Sequence, residues 1–140
     1  MIEELTNAVR EIEHLRSNVY NDLGDFYFRK GDFANAKASF LAAVAVSPYY
    51  ATAYMNAGEI HVLLKEYGDA LKMYDKAVEC NPSLVKAYYK MALAYYNLGD
   101  FENSVRSFKT YLARCPSAPE TAEVLKNISI LETMLKREKM

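Results

Sequence analysis

No tryptophan occurs in this sequence, and cysteine, histidine, proline and glycine number only two, two, four and five among 140 residues. Two cysteines, Cys80 and Cys115, are too few for a disulfide framework and read as reduced thiols in a cytoplasmic protein. The histidines, His14 and His61, stand far apart, and no cysteine–histidine cluster has metal-ligand spacing. Glycine is too sparse for a phosphate-cradling loop. No metal or other cofactor is expected, and no nucleophile with an orienting partner points to an enzyme. Neither sign of charge dominates: 17 basic against 18 acidic residues leave a net charge of -1. That balance argues against nucleic acid or an anionic membrane surface as partner. Apolar runs fall far short of the ~18 residues of a membrane span. The opening Met1-Ile2-Glu3-Glu4-Leu5 is acidic and does not read as a secretory leader. What remains is one globular domain, 51% apolar and 25% charged, long enough to bury a core.

Tyrosine, by contrast, is abundant, with twelve copies, and its placement is periodic. Pro48, Pro82 and Pro116 recur every 34 residues. At the same offset Tyr20, Tyr54 and Tyr88 align, as do Phe40, Tyr74 and Phe108, and Phe33, Tyr67 and Phe101. Tyr27, His61 and Tyr95 form a further column, which gives His61 a packing role. Small residues align too: Gly24, Gly58 and Ala92, then Ala36, Ala70 and Ser104. So many columns in register mark an internal repeat.

Within each unit the spacing is helical. Leu71, Tyr74 and Val78 share one helix face, as do Tyr54, Ala57, His61 and Leu64. Lys30-Gly31-Asp32 and Leu98-Gly99-Asp100 separate two such stripes, glycine ending one helix and aspartate capping the next. Lys65-Glu66-Tyr67-Gly68 is a weaker form of that signal. Proline then bars the second helix from continuing. The predicted architecture is all-α, with helix pairs at 17–30/33–46, 51–64/67–80 and 85–98/101–113. The small columns allow close helix approach, at interaxial distances of ~8–10 Å. At that spacing Cys80 and Cys115, at nearly equivalent repeat positions, are too far apart for a disulfide.

These columns resemble the tetratricopeptide-repeat (TPR) pattern. Repeat one carries Tyr20, Leu23, Gly24, Tyr27, Ala36, Phe40 and Pro48, with tyrosine in place of tryptophan. Repeat two has Ala57 and His61 at the leucine and tyrosine positions, and repeat three departs further with Met91, Ala92, Ser104 and Tyr111. The resemblance implies a superhelical solenoid, with repeats at 17–50, 51–84 and 85–118. These are flanked by an N-terminal helical extension (1–16) and a C-terminal capping helix (119–140).

For the capping helix, Ser117-Ala118-Pro119-Glu120 has capping-box form, followed by the stripe Val124, Leu125, Ile128, Leu131 and Leu135. In the extension, Ile2, Leu5, Val9 and Ile12 fall at a/d spacing. That stripe is expected to pack within the chain on repeat one, to run on into the first repeat helix, or to pair with a copy of itself. The last option would make a homo-oligomer through the terminal helices.

The resemblance further implies a concave surface built from the first helix of each repeat, gripping a peptide or helix of a protein partner. Residues outside the packing columns there include Asn21, Asp22, Asp25 and Phe28 in repeat one. Repeat two adds Met55, Asn56, Glu59, Val62 and Leu63, and repeat three adds Lys86, Tyr89, Lys90, Leu93, Tyr96 and Asn97. Acidic at one end and basic at the other, such a groove suits a ligand with a positive group near Asp22, Asp25 and Glu59. An apolar middle and a carboxylate held by Lys86 and Lys90 would complete it. One branch of the family clamps chaperone tails ending in Glu-Glu-Val-Asp. Asn56 and Lys86 match that clamp and Lys90 replaces its arginine, but Asn21 and Asp25 stand where lysine and asparagine are expected. The function implied is that of an interaction scaffold or adaptor, with a self-assembling structural role or a chaperone-tail adaptor as alternatives.

Overall fold

The computed structural model describes residues 1–140, arranged as seven α-helices without strands. They are α1 (Ile2–Arg29), α2 (Phe33–Val46), α3 (Ala51–Leu63), α4 (Tyr67–Cys80), α5 (Lys86–Asn97), α6 (Phe101–Arg114) and α7 (Thr121–Glu138). Contacts are densest within the pairs α1/α2, α3/α4 and α5/α6, next densest between consecutive pairs, and α7 closes the stack on α6. Each pair buries one stripe of each helix, so the core runs along the stack as linked clusters around Phe40, Tyr74 and Phe108.

Glycine sets the packing distance in the first two repeats. A Cβ on Gly24 would lie 2.6 Å from the Phe40 ring, and one on Gly58 would lie 2.5 Å from the Tyr74 ring. Ala36, Ala70 and Ser104 are fully buried on the facing helices. Ser104 is satisfied by donating to the Ala92 carbonyl at 2.7 Å, as Ser17 donates to Ala43 at 2.9 Å.

The turns between paired helices follow one backbone scheme. Gly31 and Gly99 take φ of 76° and 77°. Asp32 and Asp100 then cap α2 and α6, accepting from the backbone N–H groups of Asn35 and Asn103 at 3.2 Å. In repeat two the left-handed position falls on Lys65, with φ of 61°, and Gly68 lies inside α4. The breaker is therefore a strained lysine, since a left-handed residue with a Cβ costs about 1–2 kcal/mol.

The C-terminal end departs from expectation, and the N-terminal end takes one of the three courses open to it. Ser117-Ala118-Pro119-Glu120 forms no capping box: α7 starts at Thr121 and its N-cap, Glu120, makes no side-chain cap bond. The Glu120 carboxylate instead accepts from the Tyr111 hydroxyl at 2.9 Å. At the other end, residues 1–16 do not fold back on repeat one, and their aromatic contact with it is the His14 ring 6.3 Å from Tyr50. They run straight on into the first repeat helix as part of the 28-residue α1, and every one of them is exposed. A helix of that length measures roughly 42 Å, and only its C-terminal half is held by α2.

Candidate functional site

The inner faces of α1, α3 and α5 form a trough. Its central hollow, of about 270 Å3, is lined by Phe28, Glu59, Val62, Leu63, Tyr74, Lys90, Leu93, Ala94 and Asn97. Toward repeat one, a small hollow shares Phe28 and Glu59 and adds Asp25, Phe40 and Asn56. Toward the C-terminus, a third of about 250 Å3 shares Leu93 and adds Tyr96, Phe108, Asn127, Ile130 and Leu131. Shared lining residues make the three hollows one continuous feature. Phe28, Val62, Tyr96 and Ile130 stand 34 residues apart and supply an apolar row along it. Phe28 is 40%, Leu63 49%, Leu93 40% and Tyr96 52% exposed, more apolar surface than the core requires.

Polar side chains in the trough bond to one another. Lys90 Nζ lies 2.6 Å from Glu59 Oε1, bridging α5 to α3. Asn56 Nδ2 donates to Asn21 Oδ1 at 2.9 Å, bridging α3 to α1. Asp25 pairs with Arg29 on its own helix at 2.9 Å. The charge separation expected along the groove is thereby reduced, because its acidic Glu59 and basic Lys90 neutralise each other. Lys86, exposed at the start of α5, makes no ion pair, and its field helps to hold the Glu120 carboxyl below its ordinary range, after the hydrogen bonds Glu120 accepts.

Of the residues singled out from sequence, Asp25, Asn56, Glu59, Lys90 and Tyr96 line the trough. Asn21 joins them through Asn56, whereas Asp22 is exposed outside the hollows. Met55 and Tyr89 are placed elsewhere. Met55 packs against the core around Tyr74. The Tyr89 ring lies 5.8 Å from Phe108 and 5.4 Å from Tyr111, so both side chains serve the stack. The contribution of α7 was missed, although Ile130 extends the Phe28, Val62, Tyr96 column by one more period.

A second polar cluster, away from the trough, is structural. His61, 7% exposed, places Nδ1 3.1 Å from Glu66 Oε1, and Lys37 Nζ approaches the same oxygen at 3.2 Å. Asp69 is close by. These hydrogen bonds hold the Glu66 carboxyl below its ordinary range, the Lys37 bond first. With an ammonium already on the carboxylate, the group ties α2 to the α3–α4 turn and does not suit a metal ion.

No helix is long and apolar enough to cross a membrane. Two family models, both described as tetratricopeptide repeat, match residues 21–85 and 73–106. An inactive TPR repeat-containing thioredoxin of Arabidopsis thaliana is 29% identical over 115 residues, 82% of this chain and 16% of its own length. The Hsp70-Hsp90 organizing protein of Triticum aestivum is 31% identical over 67% of this chain, again 16% of its own length. The chain thus spans about a sixth of the length of these relatives. Among solved structures, the first TPR of Spaghetti (RPAP3) bound to the HSP90 peptide SRMEEVD superposes with a TM-score of 0.78. It is 24% identical, with 85% of this chain and 94% of that one covered. Sequence columns, paired helices and family models coincide over residues 21–106, and the chain belongs to the tetratricopeptide-repeat family.

Proposed function

We propose that this domain is a protein-interaction module whose trough takes up a partner segment through apolar side chains, as part of a scaffold or adaptor. The observation that carries the reading is the exposed apolar surface of Phe28, Leu63 and Leu93, with half-buried Val62, around a central hollow of about 270 Å3, continued by exposed Tyr96 in the adjoining hollow. A concave, mostly apolar surface with a few fixed polar groups is the general form of a ligand site. Relatives support the same class of partner: Spaghetti carries an HSP90 peptide, and the wheat relative is named for organising two chaperones.

An acidic chaperone tail is a poor fit for this trough. Lys90 is already neutralised by Glu59 and Asn56 is engaged by Asn21. Asp25 adds a carboxylate where an incoming one would lie, a repulsion of about 1–4 kcal/mol depending on effective dielectric, which its pairing with Arg29 offsets only in part. The ligand suited to the trough is a segment with apolar side chains on one face, whose own carboxylate meets Lys86. Fluorescence anisotropy with two labelled peptides tests this: SRMEEVD, and an amphipathic helix with apolar residues on one face. Binding of the second and not the first supports the reading, and the reverse rejects it.

A further inference from the structure

The outer face of α1 carries an apolar seam that the repeat stack does not cover. Ile2, Leu5, Val9 and Ile12 continue, after Arg16, into Val19, Leu23 and Phe26, with spacings alternating between three and four residues. That is a heptad pattern over four heptads, with Arg16 its one polar member. The seven apolar side chains are 39% to 82% exposed. Ser17 and Gly24, buried against α2, lie roughly a third of a turn from the seam, and Asn21 and Phe28 of the trough lie nearly opposite. A hollow of about 390 Å3 lined by Ile12, Leu15, Arg16, Val19 and Tyr20 opens at its middle.

We propose that this seam is an isologous dimer interface, covered by α1 of a second copy running antiparallel. Area is the first argument. At on the order of 100 Å2 for each of the seven half-exposed large apolar side chains, the seam leaves roughly 700 Å2 per chain. Monomers ordinarily leave smaller patches, and about that area per partner makes a standard interface.

Charge selects the partner and the direction. The seam runs from residue 2 to residue 26, so its midpoint is residue 14. Full antiparallel overlap sets Arg16 opposite Ile12 of the second copy, one residue from that copy's Glu13, and the two-fold axis repeats this Arg16–Glu13 pair. Both are exposed. A parallel pair would stack Arg16 on Arg16 within the seam. The antiparallel pair also sends the two repeat stacks to opposite ends and leaves both troughs open, so the dimer is bivalent. This inference stands independently of the trough reading.

Sedimentation equilibrium over a dilution series tests it, on the full chain and four variants: Ile12→Asp, Arg16→Glu, Glu13→Arg and the double charge reversal. The wild type is expected to be a dimer that dissociates on dilution. Ile12→Asp should be monomeric, and its unfolding transition should match that of the wild type at dilutions where both are monomers, since the site is exposed in the monomer. Each single reversal should weaken dimerisation about tenfold or more by placing like charges together, and the double reversal should restore it. A wild type monomeric at every concentration overturns the proposal and leaves the seam to a different protein. A dimer indifferent to Ile12→Asp, a double reversal no better than the singles, or a mass that grows without limit overturns it equally.

Discussion

Lys90 reaches from α5 to Glu59 on α3, Nζ to Oε1 2.6 Å, in the wall of the central hollow. Both side chains are partly exposed, so the pair contributes little to stability. Its effect is on the ligand: it removes one cation and one anion from the surface a partner would meet. The nearby Asn21–Asn56 bond does the same for two amides.

Restoring the missing cation should therefore change which peptide binds. Asn21→Lys with Asp25→Asn supplies a positive charge and removes a negative one where a peptide carboxylate would lie. Affinity for SRMEEVD is expected to rise about tenfold or more, read by anisotropy titration, with the gain shrinking as salt increases. Adding Glu59→Gln should raise it again by freeing Lys90.

Gly58 is fixed by the Tyr74 ring, which a Cβ would approach to 2.5 Å. Gly58→Ala is expected to destabilise the domain by about 1–3 kcal/mol through overpacking, despite the better helix propensity of alanine. The third repeat already holds Ala92 at this position, so Ala92→Gly should cost only about 1 kcal/mol. Urea unfolding of the two variants checks the contrast.

Lys65→Gly should act in the opposite direction. With φ of 61° at Lys65, glycine removes the left-handed penalty of about 1–2 kcal/mol, offset in part by its greater freedom when unfolded. A net gain of about 1 kcal/mol, or a Tm higher by a few degrees, is expected in a thermal scan.

Alkaline pH should destabilise the fold through two tyrosines. Burial, first, and then the bond to Glu120 raise the Tyr111 hydroxyl from 10.0 to about 12. Burial, first, and the nearby Glu59 carboxylate raise Tyr74 further. The folded chain thus keeps protons that the unfolded chain releases, so this stability is intact below about pH 10 and lost as pH rises toward the folded values. Tyr111→Phe should flatten the fall of Tm between about pH 9 and about pH 11.

The repeat columns were legible because a packed helix pair admits few residue types at its closest approach: Gly24, Gly58 and the facing aromatics state the spacing outright. The trough was legible in part. Glu59 and Lys90 are 31 residues apart, one period less a turn, which places opposite charges on adjacent inner helices. That offset could have revealed the pair before the structure did. Met55 and Tyr89 lie outside the hollows, because a residue outside the repeat columns can still fill a gap between pairs. Lys65 was hidden because side-chain pattern does not report φ. Ser117 and Glu120 had capping spacing, but the competing Tyr111 hydroxyl is a tertiary contact that local sequence cannot reveal.

The central claim is that the trough, and not the outer face of the stack, receives the partner. Site-specific photo-crosslinking measures this most directly, with a photoreactive residue at Phe28, Leu93 or Tyr96 and, for comparison, at exposed Lys72 or Arg106 on α4 and α6. In source-cell lysate the account predicts one partner crosslinked from all three trough positions and from neither outer one, and lost when Val62→Asp is introduced. Crosslinks to the same partner from Lys72 and Arg106 that persist with Val62→Asp would contradict it and move the interaction to the outer helices.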